Sequence, residues 1–189
     1  MALALKKPAY ETRRYTYADY CKWEGPERWE LIDGVPYMMA APSVAHQWAL
    51  SSLHRQIANF LHGKNCIVLF APLDVRLNAD FRDNTVVQPD LLVVCDKSKI
   101  DRVGLRGAPD MAVEILSPST ADFDKVDKLA LYMKAGVREY WIVDPDAQTV
   151  AVHVLGRGKY SKTVYEKPDS VPVSVLPGCL VDLREVFLE

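Results

Sequence analysis

The pattern of apolar and polar positions predicts a sheet that is covered on both faces. Two stretches in the middle of the chain, 86–95 and 111–116, are almost continuously apolar. Such runs are typical of strands that are buried from both sides. A third apolar stretch, Tyr140–Val143, ends at Asp144-Pro145 and predicts another buried strand. We therefore expect an α/β fold with a mixed sheet flanked by helices.

Two segments have helical spacing. The first runs from Val44 to about His62, with Ser43 as its expected N-cap. Its apolar stripe consists of Leu50, Leu53, Ile57, Phe60 and Leu61. The second segment runs from Phe123 to Ala135 and is closed by Gly136. We expect these two helices to cover the sheet.

Turn residues predict a β-hairpin near each end of the chain. Asp33-Gly34 lies between two apolar runs and favours a tight hairpin. Near the C-terminus, Gly156-Arg157-Gly158 separates the predicted strands Val150–Leu155 and Tyr160–Tyr165. We expect residues 1–14 to form a flexible arm and residues 15–189 to form one domain.

Composition indicates an ordinary globular protein of 189 residues with a net charge of −2, so any nucleic-acid contact needs a local basic patch. The cysteines have no zinc-binding spacing, and Cys66 and Cys95 lie in apolar runs, which predicts buried free thiols and a reducing compartment. The N-terminal M-A-L-A-L-K-K is too short for a signal peptide, and no stretch is apolar enough to span a membrane. We therefore expect a cytoplasmic protein.

Each of the two central strands carries one carboxylate. Asp90 follows Pro89 and shares a strand face with Leu92, while Glu114 shares a face with Leu116. A buried carboxylate is costly unless it is paired or bound to a metal ion. Either acid alone could cap a strand end or pair with a lysine, but both together, flanked by apolar runs, favour a site for Mg²⁺ or Mn²⁺.

Helical spacing alone favours a solvent-exposed position for Lys128. The expected apolar stripe of its helix consists of Val126, Leu129, Ala130 and Met133. Lys128 points nearly away from that stripe and could pair with Asp124 at i,i+4. If Leu131 and Tyr132 were also covered, Lys128 would instead lie at the mouth of the site and stabilise developing charge.

Two further residues are weaker candidates by position alone. His46 continues the stripe of the first helix, so a core or helix-end histidine is its default interpretation. Glu30 belongs to an acidic cluster with Glu24 and Glu27, which is typical of a hairpin surface. His46 would matter chemically only if the start of its helix faced the same cleft as the acids.

Several segments resemble the Uma-two family of restriction-endonuclease-like proteins. The resemblance covers about Tyr15 to Phe187, and its segments are W-E-L-I-D-G, S-V-A-H, V-Q-P-D-L-L-V-V, P-D-M-A-V-E-I-L-S-P-S-T and D-K-V-D-K-L-A-L-Y-M-K-A-G-V-R-E-Y-W-I-V-D-P. The block from E-I-L-S-P-S-T to E-Y-W-I-V-D-P is the most specific part. The resemblance implies a PD-(D/E)xK nuclease core that hydrolyses phosphodiester bonds with a divalent metal.

The resemblance also implies roles for particular residues. Asp90 and Glu114 match the two metal-binding acids, Lys128 matches the catalytic lysine on the following helix, and Glu30 and His46 match further site positions. The general nuclease pattern has lysine two residues after the second acid, where this chain has Leu116. The resemblance therefore reverses the interpretation of Lys128 that spacing favours.

These observations lead to three hypotheses. The first is a Mg²⁺- or Mn²⁺-dependent endonuclease that acts on nucleic acid, and we expect DNA rather than RNA as its substrate. A homodimer would allow such an enzyme to cut both strands. The second is a nucleic-acid or protein-binding module with an inactive nuclease core, prompted by Leu116 and the near-neutral charge. The third is a hydrolase of small phosphodiesters that uses the same metal.

Overall fold

The computed structural model of the protein describes residues 13–79, 82–117 and 124–188, and only the backbone of Asp124 and Lys125. Most of the predicted N-terminal arm therefore lies outside the described residues. The helices are α1 (Tyr17–Tyr20), α2 (Val44–Leu61) and α3 (Leu129–Ala135). The strands are β1 (Trp29–Ile32), β2 (Val35–Met38), β3 (Ile67–Phe70), β4 (Asp74–Arg76), β5 (Val86–Val87), β6 (Leu91–Val94), β7 (Gly104–Arg106), β8 (Met111–Ile115), β9 (Glu139–Asp144), β10 (Thr149–Gly156), β11 (Lys159–Glu166), β12 (Ser170–Pro172) and β13 (Leu180–Asp182).

The centre of the fold is a six-stranded mixed sheet in the order β11-β10-β9-β8-β6-β3. Among the described strands of this sheet, only β8 and β9 pair in parallel, and α3 lies in the connection between them, as a parallel pair requires a crossover. Every residue of β6 and β8 is buried, so the continuous apolar runs correctly predicted strands that are covered on both faces.

The two faces of this sheet are covered by different elements. One face packs against the buried stripe of α2 and the C-terminal segment, and the other packs against α3 and a second sheet. The predicted mixed sheet flanked by helices is thereby confirmed. The predicted first helix ends within one residue of α2, and Ser43 caps it by accepting a hydrogen bond from the backbone of His46.

The second sheet has five strands in the order β2-β1-β5-β4-β7. Its hairpin β1–β2 turns at Asp33-Gly34, where both residues have positive φ, as a two-residue hairpin turn requires. The C-terminal hairpin β10–β11 likewise forms around Gly156-Arg157-Gly158.

The predicted strand over 86–95 is only partly right, because the chain divides at Pro89 into β5 and β6. Val86 pairs with Leu31 in the five-stranded sheet, while Leu91 pairs with Phe70 in the six-stranded sheet. Proline has no N–H to donate to a strand ladder, so the chain can leave one sheet there and enter the other. This division places Asp90, the residue before β6, between the segments that belong to the two sheets.

The predicted apolar stripe of the second helix is only partly right, since Leu129 packs against the core but Val126 does not. Residues Asp124–Lys128 form a π-helical turn before α3, and the start predicted at Phe123 lies outside the described residues. A π-helix bonds each residue to the fifth one along, which changes the helical phase. Val126 is consequently 66% exposed and Ala130 is exposed, while Lys128 and Tyr132 are buried.

The predicted free thiols at Cys66 and Cys95 are replaced by a disulfide bond. Ile67 pairs with Val94 in the antiparallel ladder, so the residues just outside this pair face each other with Cα atoms 4.0 Å apart. The sequence spacing of 29 residues conceals this proximity, because only the pairing of β3 with β6 creates it. The compartment inferred from free thiols therefore loses its support.

Within the described residues, no helix is both long enough and apolar enough to cross a bilayer.

Candidate active site

A cleft of about 330 Å³ opens where the two sheets meet. Its walls come from the β1–β2 hairpin, the first half of α2, the end of β3 and the ends of the central strands. All the site residues predicted from the sequence line this cleft: Glu30, His46, Asp90, Glu114 and Lys128. The fold therefore brings together residues that are scattered over the first two thirds of the chain.

Asp90 is held in the cleft by its position just before β6. Its Oδ2 accepts a hydrogen bond from the backbone N–H of Ile115 at 2.7 Å. Because Ile115 follows Glu114 on β8, this bond fixes Asp90 beside the strand that carries the second acid. The side chain of Asp90 remains 14% exposed, so it is open to the cleft.

His46 contacts the same carboxylate oxygen from the opposite wall. Its Nε2 lies 3.1 Å from Asp90 Oδ2, and an ionised carboxylate can only accept, so Nε2 carries a hydrogen in this contact. Its buried Nδ1 has no hydrogen-bond partner among the described residues. The start of α2 therefore faces the cleft, which was the condition for His46 to take part in a site.

Lys128 lies between two buried carboxylates. Its Nζ is 3.0 Å from Glu30 Oε1 and 2.9 Å from Glu114 Oε1. The three side chains are each 4–5% exposed, so little water screens their charges. The solvent-exposed position that spacing favoured for Lys128 is thus wrong. The π-helical turn points its side chain inward, and the two carboxylates offset the cost of burying its charge.

The same two carboxylate oxygens accept further hydrogen bonds. Glu30 Oε1 also accepts from the backbone N–H of Gln88 at 2.8 Å, and Glu114 Oε1 also accepts from the hydroxyl of Tyr132 at 2.8 Å. Burial, followed by the charges of Glu114 and Glu30, raises the pKa of Tyr132 well above its usual 10. Tyr132 therefore keeps its proton and acts as a donor to Glu114.

Sequence reasoning missed Gln88 and the role of Tyr132. Tyr132 stands four residues after Lys128, so the i,i+4 rule already placed both on one helix face. No local pattern marks Gln88, whose side chain accepts two hydrogen bonds from Arg28 and donates to Asp74. These contacts anchor the segment before Pro89 to the second sheet and so help to set the position of Asp90.

The donors present suit a hard divalent cation. Asp90 and Glu114 provide carboxylate oxygens on adjacent strands, and Mg²⁺ is commonly held by one or two carboxylates together with water and substrate phosphate oxygens. No group of three or more histidine, cysteine or acidic side chains forms a complete metal cage within the part of the chain that the structure describes. Two carboxylates alone would leave the other ligand positions of such an ion to water and substrate.

The fold defines the class of protein: an α/β domain in which helices flank a mixed sheet. The chain is similar to the crystal structure of "a putative nuclease belonging to DUF820" from Anabaena variabilis, with a TM-score of 0.74. The two sequences are 21% identical, and the match covers 91% of this chain and 97% of the other. At this identity the likeness establishes the fold alone.

The sequence defines the family. A family described as "Putative restriction endonuclease", Uma2, matches residues 16–184, and the chain therefore belongs to the Uma2 (Uma-two) family. It is also 29% identical over 116 residues to "Uncharacterized protein slr1290" of Synechocystis sp.. That match spans 60% of this chain and 60% of the relative. The resemblance stated from the motifs is confirmed.

Proposed function

We propose that this protein is a divalent-metal-dependent endonuclease that hydrolyses phosphodiester bonds, with DNA as its substrate. The main support is the convergence of Asp90 and Glu114 on one cleft, tied together by the hydrogen bond from Ile115 to Asp90. Membership of the Uma2 family agrees with this chemistry.

In this proposal Asp90 and Glu114 hold the metal ion, Mg²⁺ or Mn²⁺. A bound ion of this kind lowers the pKa of a water ligand and neutralises charge on the phosphodiester. The protein's own contribution is to fix the two carboxylates. His46 orients Asp90 through Nε2, and Tyr132 orients Glu114 through its hydroxyl.

Lys128 supplies the positive charge that the general nuclease pattern places two residues after the second acid. Leu116 occupies that place here and is buried in the core. The Lys128 ammonium nevertheless reaches the Glu114 carboxylate at 2.9 Å from the neighbouring helix. From there it can orient the attacking water and stabilise charge on the phosphate, while Glu30 holds the ammonium in place at 3.0 Å.

The test compares purified wild-type protein with Asp90→Asn and Glu114→Gln in a DNA cleavage assay containing Mn²⁺. Glu185→Gln is the matched control, because Glu185 lies on the surface, where it pairs with Arg55. We expect cleavage by the wild type and the control, and its loss in both site variants and in the presence of a chelator. Equal cleavage by all four proteins, or by none, would show the proposal to be wrong.

One observation favours an alternative, a nucleic-acid-binding module with an inactive core. Lys128 and Tyr132 both donate hydrogen bonds to Glu114 Oε1, so a metal ion bound by Glu114 must fit beside these two donors. The alternative predicts DNA binding that weakens with salt and no turnover in the assay above. Calorimetry that detects Mn²⁺ binding to the wild type, and its loss in Glu114→Gln, would count against it.

Assembly of two such sites in a homodimer, as a cut through both DNA strands requires, remains a prediction that light scattering can check.

A further inference from the structure

Part of the cleft lining is apolar and has no part in the proposed metal chemistry. Its apolar residues include Met38, Met39, Pro42 and Phe70, and His54 also lines the cleft. Phe70 is 51% exposed, although phenylalanine is usually buried. The ring of His54 meets it edge-on, with centroids 4.8 Å apart and planes at 76°. An aromatic ring that lines the cleft is thus held by a contact with a neighbouring ring.

The exposed ring lies next to the proposed catalytic residues. Phe70 pairs directly with Leu91, the residue after Asp90. The next residue, Ala71, donates its backbone N–H to the Asp90 carbonyl at 3.1 Å. The same short segment of chain therefore supports both the metal-binding carboxylate and the aromatic ring, so one ligand can contact both.

The charges of the cleft do not suit a DNA duplex. Among the residues that the structure describes, its lining contains three carboxylates and two permanent cations, Arg28 and Lys128. Both cations already have partners, since Arg28 donates to Gln88 and Lys128 to the two glutamates. Duplex-binding proteins neutralise many phosphates with arginine and lysine, commonly about 6–10. The described residues of the cleft supply far fewer cations than that, so we expect much of the binding energy to come from contacts with bases.

Stacking of a base on an aromatic ring supplies such energy without sequence preference. Proteins that bind single strands use this contact, because the bases of a single strand are accessible while those of a duplex are stacked on each other. The cleft volume of about 330 Å³ is at the lower end of the range for sites that hold one small ligand. It therefore suits one nucleotide rather than a helix.

We propose that the cleft binds an unpaired nucleobase of single-stranded DNA, stacked on Phe70, beside the phosphodiester that the Asp90 and Glu114 site cleaves. This inference rests on the proposed nuclease function and names its substrate class. Gln47 and Ser51, exposed on the same wall, lie where they can contact the base edge. The substrate is therefore a single strand rather than a continuous duplex.

The test measures binding separately from cleavage. Fluorescence anisotropy with Ca²⁺ in place of Mg²⁺ compares oligothymidylate, a strand of equal length made of abasic units, and the corresponding duplex. Stacking of one base is worth about 1–3 kcal/mol, so Phe70→Ala should weaken binding of oligothymidylate by about 5- to 150-fold. Phe70→Trp should retain the affinity, and the abasic strand should bind equally weakly to wild type and Phe70→Ala.

Val164→Ala is the matched control, because Val164 is 54% exposed on β11, at the opposite edge of the sheet from β3. Its binding should equal that of the wild type. The inference is overturned if Phe70→Ala binds oligothymidylate as the wild type does, or if the duplex or the abasic strand binds as tightly. Neither result bears on the nuclease proposal. Conversely, a protein that binds oligothymidylate as expected but does not cleave DNA would refute only the nuclease proposal.

Discussion

Replacing Lys128 with methionine tests whether the buried triad of Glu30, Lys128 and Glu114 has the energetics that its geometry implies. The ammonium makes hydrogen bonds of 3.0 and 2.9 Å to the two carboxylates, and all three groups are almost fully buried. Methionine has a similar length but no charge. The substitution therefore keeps the packing and leaves two buried carboxylates without their shared cation.

The expected loss of stability follows from this burial. Removing one partner of a buried ion pair costs about 3–5 kcal/mol, because the remaining charge stays uncompensated. That is a large part of the roughly 5–15 kcal/mol that stabilises a typical domain. For a chain of this size, 1 kcal/mol changes Tm by about 2–4 °C, so Lys128→Met should lower Tm by roughly 6–20 °C.

Urea unfolding measures this loss directly, provided that the slope against urea is unchanged. Arg55→Met is the control, because it breaks the exposed pair with Glu185 and should cost about 1 kcal/mol or less. Adding Glu30→Gln and Glu114→Gln to Lys128→Met removes the uncompensated charges and should restore much of the stability. If Lys128→Met costs no more than the Arg55 control, the triad is not a buried ion pair in solution.

Three further predictions follow from other contacts. Tyr132→Phe removes the hydroxyl that donates to Glu114, so it should cost about 1.5–3 kcal/mol in urea unfolding, and Mn²⁺ binding measured by calorimetry should weaken. Replacing Cys66 and Cys95 together with alanine opens a loop that spans 29 positions, so unfolding under oxidising conditions should require about 3–4 kcal/mol less. Burial raises the pKa of Glu139 above 4.5, so at a pH between the two pKa values the folded protein keeps the carboxyl proton that the unfolded chain has released. The free energy of unfolding should therefore fall as pH rises from 4.5 through the pKa of the folded state.

Each of these predictions has its own control. Tyr160→Phe removes a part-buried hydroxyl that donates a hydrogen bond to the backbone carbonyl of Val137, outside the cleft. This variant should therefore leave the Mn²⁺ affinity unchanged. A reductant should abolish the difference between wild type and the double cysteine variant, and a difference that persists in reductant would contradict the disulfide. The contribution of Glu139 is the difference in how the free energy of unfolding changes with pH between wild type and Glu139→Gln. Parallel curves for the two proteins would show that Glu139 makes no such contribution.

Much of the fold could be predicted because its elements depend on nearby residues. The periodic stripe and Ser43 cap specified α2, and Asp33-Gly34 specified the first hairpin, since only a few residue types suit a turn with positive φ. The two strand acids also stood out locally, because Glu114 interrupts an otherwise apolar run. What these patterns could not supply was the pairing of distant segments.

By itself, then, the sequence determined where α2, the two hairpins and the central buried strands form, and that two acids interrupt the apolar strands, because periodicity and turn chemistry act over a few residues. Only the tertiary structure decided that Cys66 meets Cys95, that the chain changes sheets at Pro89, and that Lys128 is buried. Lys128 is the clearest case, since its burial depends on Glu30, 98 positions earlier in the chain. A buried charge is tolerated only where the fold brings a partner to it, and that partner need not be near in sequence.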